Sequence, residues 1–126
     1  MGYYTDYSLD VTLNGEDIKA FGDALEELCV WDGIDDYGVT INAYANAKWY
    51  EWETDLCELS VKFPLAFIEI EGVGEESGDM WRAYIQNGAC QHCRAIITYD
   101  DYDPKKMIRY VEPLVPAKET QVADLI

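Results

Sequence analysis

Basic residues are scarce in this chain. Its 126 residues include only nine Lys and Arg against 25 Asp and Glu, so the formal net charge is −16. A surface this negative repels nucleic acid and anionic membranes. We therefore expect a protein that binds neither nucleic acid directly nor a membrane surface, and whose partner carries the opposite charge.

The chain also has no long hydrophobic run. No stretch approaches the roughly 20 apolar residues that a membrane span needs. The opening segment, Met1 to Asp6, has neither the basic nor the apolar region of a signal peptide. We therefore expect a protein of the cytosol, in which the four cysteines remain thiols.

Residues suited to catalysis or metal binding are few. His92 is the only histidine, and no nucleophile elbow or phosphate-binding loop accompanies it. Cys90, His92 and Cys93 are weak candidates for metal ligands, since one Cys-x-x-Cys is half a zinc site at best. On a strand, Cys93 would point away from the other two. We predict no metal, no cofactor and no enzymatic activity.

Apolar residues, by contrast, are plentiful. Hydrophobic residues make up 49% of the chain and aromatic residues 13%, which favours a packed core over disorder. The length is typical of one domain. We predict a single domain over residues 1–112 and a loosely tethered tail over residues 113–126, where two prolines lie close together.

Alternation and helical spacing predict the order β-α-β-α-β-β-β. A strand over residues 3–13 precedes a helix that begins at the N-cap Asn14. The segment Gly33 to Gly38 is predicted as a turn, and Asn87-Gly88 as a two-residue hairpin turn. The other predicted elements are a helix over 51–62, strands over 39–49, 65–71, 79–86 and 89–99, and a short helix over 105–111.

This order predicts an α+β fold. Two helices would cover one face of a mainly antiparallel sheet of about five strands, which makes a two-layer sandwich. A ferredoxin-like variant is one topology that fits this order.

The acidic residues are the candidate partner-binding residues. Glu69 and Glu71 would share one face of a strand about 6.6 Å apart, a step similar to that of phosphates along a nucleic-acid strand. Carboxylates at this step could occupy phosphate-binding sites on a basic protein; the alternative is a solvated acidic coat. The predicted contact residues are Asp23, Glu26, Glu27, Asp35, Asp36, Glu69, Glu71, Glu75, Glu76 and Asp79.

Three segments, Trp49–Asp55, Leu59–Pro64 and Gly72–Trp81, together resemble a group of small phage and prophage proteins. The shared features are an aromatic-acidic helix start, a helix end running from leucine-serine to phenylalanine-proline, and an acidic GEExGDxW hairpin. The resemblance covers about residues 45–100. It implies expression in the cytosol of a bacterial host and, by analogy with other small acidic phage proteins, an anti-CRISPR or anti-restriction role. It assigns no role to any single residue.

The leading hypothesis is therefore a phage-encoded acidic inhibitor. It would mimic nucleic acid and bind the basic nucleic-acid-binding surface of a host defence or replication protein. The first alternative is a structural or assembly module that forms a homo-oligomer through an exposed strand edge or the tail. The second alternative is a metal-dependent enzyme.

Overall fold

A computed structural model describes residues 2–115. The chain divides into a unit spanning Met1–Ile96 and a second unit spanning Ile97–Ile126. In the second unit, the described residues contain one short 3-10 helix, Pro104–Lys106, which overlaps the helix predicted over 105–111 only at residues 105 and 106. The predicted tail lies largely outside the described residues. The first unit contains β1 (Thr5–Thr12), α1 (Ile18–Glu27), β2 (Gly33–Asp36), β3 (Thr40–Ala47), α2 (Trp52–Lys62), β4 (Phe67–Gly74), β5 (Met80–Gln86) and β6 (Ala89–Arg94).

The six strands form one open sheet in the order β2-β3-β1-β4-β5-β6. Every neighbouring pair is antiparallel. The α+β class is therefore confirmed, with six strands where about five were expected.

The additional strand is β2, in the segment predicted as a turn. It pairs with β3 from Gly33 opposite Tyr44 to Asp36 opposite Ile41. Glycine and aspartate are depleted in strands, so the local sequence argues against a strand here. The segment is nevertheless a strand because its backbone pairs with the edge of β3. This pairing satisfies N–H and C=O groups that would otherwise lack partners where they are withdrawn from water.

The start of α1 also differs from the prediction. Asp17, not Asn14, is the N-cap, and its carboxylate accepts from the N–H groups of Lys19 at 3.0 Å and Ala20 at 3.2 Å. Asn14 lies in the preceding turn with a φ of 47°. Its side chain donates instead to the carbonyl of Leu65. Both residue types cap helices well, and the turn geometry decides between them.

The last strand, β6, is shorter than predicted. It ends at Arg94 rather than Tyr99, because its neighbour β5 begins at Met80 and offers no partner beyond that point. The N–H of Ala95 makes one further bond, to the carbonyl of Met80 at 3.3 Å.

One face of the sheet forms the core. Along β1, alternate residues are buried and exposed. Both helices pack on the buried face, α1 through Phe21 and Leu25 and α2 through Leu56 and Leu59. Both helices therefore lie on one face of the sheet, and within the described first unit no helix or strand packs on the other face.

Aromatic rings connect α2 to the sheet. Trp52 of α2 stacks on Trp81 of β5 with ring centroids 4.4 Å apart and an interplanar angle of 14°. Trp81 also meets Tyr7 of β1 edge-to-face, and Tyr7 meets Trp49 in the same way. Such pairs contribute about 0.5–1.5 kcal/mol each beyond the area they bury.

Candidate protein-binding surface

The face of the sheet opposite the helices has no covering layer in the first unit. Side chains alternate across a strand, so the residues between the core positions project from this side. We call it the open sheet face. It is formed by Asp6, Ser8 and Asp10 of β1, Asp35 of β2, Asn42, Tyr44 and Asn46 of β3, Phe67, Glu69, Glu71 and Val73 of β4, and Met80, Arg82 and Tyr84 of β5.

Three carboxylates form one row across this face. Asp10 lies directly opposite Asn42 on one side and Glu69 on the other, and Asn42 lies opposite Asp35. Neighbouring strands are about 4.8 Å apart. The register therefore places Asp10 one strand spacing from Glu69 and two strand spacings from Asp35. Like charges on adjacent strands, such as Asp10 and Glu69, destabilise a sheet.

Amide and guanidinium groups offset part of this repulsion. The Asn46 amide donates to Asp6 at 2.7 Å. The Asn42 amide, oriented to donate, lies 2.6 Å from Asp10. Arg82 pairs with Glu71 and lies 3.6 Å from Glu69.

The open sheet face nevertheless remains negative. Arg82 donates a hydrogen bond to the hydroxyl of Tyr84 and pairs with Glu71, and both contacts raise the pKa of its guanidinium, which stays a cation. Five carboxylates (Asp6, Asp10, Asp35, Glu69 and Glu71) against this one guanidinium leave four net negative charges.

Apolar and aromatic groups lie among these charges. Tyr44 is 56% exposed. Phe67 and Tyr84 stack with ring centroids 5.8 Å apart. Beside them is an open depression of about 330 Å³ lined by Arg82, Tyr84 and Cys93, among others. The face combines charge with aromatic contact area, as protein-binding surfaces do.

The predicted acidic loop between β4 and β5 is held by the N-terminal segment. The hydroxyl of Tyr3 donates to Asp79 at 2.6 Å and accepts from the N–H of Glu76 at 2.9 Å. The N–H of Tyr4 donates to Glu75 at 2.5 Å. The hydrogen bond to Asp79 also raises the pKa of Tyr3. Of the three loop carboxylates, Glu75 and Asp79 therefore accept hydrogen bonds from the N-terminal segment.

The acidic residues predicted on the first helix lie in the helix layer. Asp23, Glu26 and Glu27 are exposed on α1, whose apolar side packs on the covered face of the sheet. Asp23 pairs with Lys19 at 3.3 Å. Asp36 lies opposite Ile41, on the helix side of the sheet, and accepts from the N–H of Gly38. Of the ten predicted contact residues, the structure brings Asp35, Glu69 and Glu71 together on the open sheet face.

Two carboxylates of this face, Asp6 and Asp10, were absent from the predicted contact set. The alternation of residues 3–13 places both on the exposed side of the first strand, so the signal was present in the sequence. Their neighbours on other strands depend on register, which the sequence does not show.

The weak metal candidates lie on both sides of β6. Cys93 lies opposite Arg82, on the open side, whereas His92 lies opposite buried Ala83 and Cys90 opposite buried Ile85. His92 Nε2 contacts Glu53 Oε2 at 2.5 Å. Burial raises the pKa of the Cys57 and Cys90 thiols, which interact with each other. Within residues 2–115, no three metal-ligating side chains converge on one point.

Comparison with protein-family models, curated protein sequences and solved structures finds no match to this chain. Among the described residues, no helix has both the length and the apolar character needed to cross a bilayer.

Proposed function

We propose that this chain is an inhibitory protein that binds a basic, nucleic-acid-binding surface of another protein through its open sheet face. It would act as a nucleic-acid mimic and not as an enzyme. The phage resemblance supports a setting in the cytosol of a bacterial host. There the partner would be a CRISPR, restriction or replication protein.

The observation that carries this proposal is the row of carboxylates on the open sheet face, with Glu71 beside it. Along β4, Glu69 and Glu71 are about 6.6 Å apart, and Asp10 and Asp35 continue the row of Glu69 across the sheet. A basic groove that normally binds phosphates would find negative charges at similar intervals. Charge complementarity of this kind accelerates association and selects the partner.

Aromatic side chains on the same face would supply contact energy that charge alone does not. Tyr84 lies opposite Glu69, Phe67 lies two residues before Glu69 on β4, and Tyr44 lies two residues after Asn42 on β3. Tyrosine is enriched among the residues that dominate binding energy, where it sits within a ring of weaker contacts. The partner is therefore expected to present both cations and exposed apolar or planar groups.

The experiment is affinity capture from a bacterial host lysate with a matched pair of double variants. Asp10→Asn with Asp35→Asn removes two charges from the open sheet face, and Glu26→Gln with Glu27→Gln removes two from α1. We expect a captured nucleic-acid-binding protein to be lost in the first variant and retained in the second. Capture should also fail above about 0.5 M salt, where the screening length is on the order of 4 Å.

Two results would overturn this function. One is equal loss of capture in both variants, which would indicate general charge attraction without a defined surface. The other is salt-insensitive capture of a neutral partner.

The connectivity supports the finer description of the fold as a ferredoxin-like variant. In β1-α1-β2 the strand β3 lies between the two connected strands, and in β3-α2-β4 the strand β1 does. Each of these two units is a split β-α-β arrangement, in which a third strand lies between the two strands that the helix connects. The β5-β6 hairpin then extends the sheet beyond β4. Such folds host many functions, so this description adds no functional weight.

A second candidate function, an assembly module, is favoured by exposed strand edges. The sheet ends at β2 on one side and at β6 on the other, and unpaired edges are templates for pairing with another chain. Light scattering on the full chain and on a chain ending before Pro113 tests this function. A closed oligomer lost on truncation supports it, and a monomer in both contradicts it.

A further inference from the structure

The described part of the second unit exposes an unusual amount of apolar surface. Ile108 is 72% exposed and Tyr110 88%, and Met107, Val111 and Leu114 are also exposed. Several exposed apolar side chains within one short segment are typical of an interaction site.

Cations are concentrated in the same stretch. Residues 104–111 contain Lys105, Lys106 and Arg109, three of the nine basic residues, and no Asp or Glu. Met107, Ile108, Tyr110 and Val111 lie between and beside them. We call residues 104–111 the basic-apolar segment. A binding surface complementary to this segment would be both negatively charged and partly apolar.

The open sheet face has both properties. It carries four net negative charges, and it exposes Tyr44, Val73 and Met80 among them. We propose that the basic-apolar segment of one copy binds the open sheet face of a second copy. Because each copy has one segment and one face, two copies can bind reciprocally and close as a dimer. This inference goes beyond the proposed function, since it needs no host protein.

The dimensions are compatible with this contact. Residues 107–111, if extended, reach about 17 Å. The three strand spacings from β3 to β5 total about 14 Å. The segment can therefore cross the row of carboxylates while its apolar side chains contact Tyr44 and the stacked pair of Phe67 and Tyr84.

The first test is the oligomeric state of the purified full chain by sedimentation equilibrium. The segment variant reverses Lys105, Lys106 and Arg109 to Glu, and the matched control reverses Lys19, Lys48 and Lys62 to Glu. Both variants change the net charge equally, so general repulsion between copies is the same. We expect a dimer in the wild type, with at least a tenfold larger dissociation constant for the segment variant than for the control.

The second test locates the surface by reversing it. A face variant with Asp10→Lys, Asp35→Lys and Glu69→Lys changes the net charge of this face from −4 to +2. It should not dimerise alone, and neither should the segment variant. An equimolar mixture of the two should form a heterodimer, because the reversed segment now fits the reversed face. Circular dichroism of each variant establishes that the sheet is intact.

Several outcomes would overturn this inference. A wild type that stays monomeric up to about 1 mM would do so, including one whose segment binds its own sheet face. Dimerisation that weakens equally in segment variant and control would indicate another interface, such as paired strand edges. Failure of the reversed mixture to associate would exclude the open sheet face.

Discussion

At the scale of single residues, two glycines allow aromatic rings to lie across the sheet. A Cβ on Gly72 would overlap the indole of Trp81, and one on Gly33 would overlap the ring of Tyr44. Each glycine lies directly opposite its aromatic residue on the neighbouring strand. The ring occupies the space that a side chain would take, and so the Trp81 stack with α2 depends on the absence of a methyl group at residue 72.

Gly72→Ala should therefore destabilise the protein by about 1–3 kcal/mol, the usual cost of overpacking. Gly22→Ala is the matched control, because its Cβ would meet only Ile41 Cδ1 at 3.9 Å. In the interior of α1, alanine should stabilise by roughly 0.5–1 kcal/mol. Urea unfolding followed by circular dichroism measures both. Equal free energies of unfolding for the two variants would contradict the role given to Gly72.

The Tyr3 hydroxyl predicts a specific alkaline response. Its hydrogen bond to Asp79 raises its pKa above that of the unfolded chain, so the folded state holds this proton more tightly. The resulting stability is fully present below the unfolded pKa and is lost as pH rises through the folded pKa. The two proteins should therefore respond alike below about pH 10, the ordinary pKa of tyrosine. Above it, the Tm of the wild type should fall more steeply than that of Tyr3→Phe. Parallel curves would show that the bond contributes nothing.

At the scale of helices and strands, elements set by short-range sequence patterns were predictable, whereas the pairing between strands was not. The limits of α2 and the Asn87-Gly88 turn follow from short-range patterns, and both were predicted closely. The β2 strand was missed because its strand character comes from β3, a partner chosen by tertiary structure. The same distinction applies to the open sheet face, where exposure was predictable and the neighbours on other strands were not. Exposure of Asp10 follows from alternation, but its position beside Glu69 follows from register.

The cap of α1 provides a test at this scale. Asp17→Ala removes the acceptor for two helix N–H groups and should cost about 1 kcal/mol. Asp23→Ala, in the same helix, removes only an exposed ion pair with Lys19 and should cost at most about 0.5 kcal/mol. Chemical denaturation of both variants gives the comparison. A larger loss for Asp23→Ala would contradict the assignment of Asp17 as N-cap.

At the scale of the whole molecule, the charge is spread over both layers. The first unit contains 19 Asp and Glu and five Lys and Arg, a net charge of −14. Some of these carboxylates lie on the open sheet face, others on α1 and others in the loop held by Tyr3. The acidic residues of this unit therefore do not gather on one face, and their mutual repulsion acts on the sheet layer and on the helix layer.

This self-repulsion should make the protein more stable in salt. Raising NaCl from about 0.01 to 0.5 M shortens the screening length from roughly 30 to 4 Å, and the Tm should rise. The exposed ion pairs that salt weakens contribute little. The Glu26→Gln, Glu27→Gln variant carries less charge and should gain less on adding salt. A Tm that falls with salt would show that local pairs outweigh the overall repulsion.

The central position of β1 has a consequence for how the chain folds. Its partners lie far along the chain, since Thr5 pairs with both Ala47 and Gly74. The strand nearest the N-terminus therefore keeps one unpaired edge during synthesis until β4 has left the ribosome. Pairings this distant raise contact order and slow folding. Until β4 is available, the sheet consists of β2, β3 and β1, and β1 is one of its edges. The same edge lies in the middle of the completed sheet.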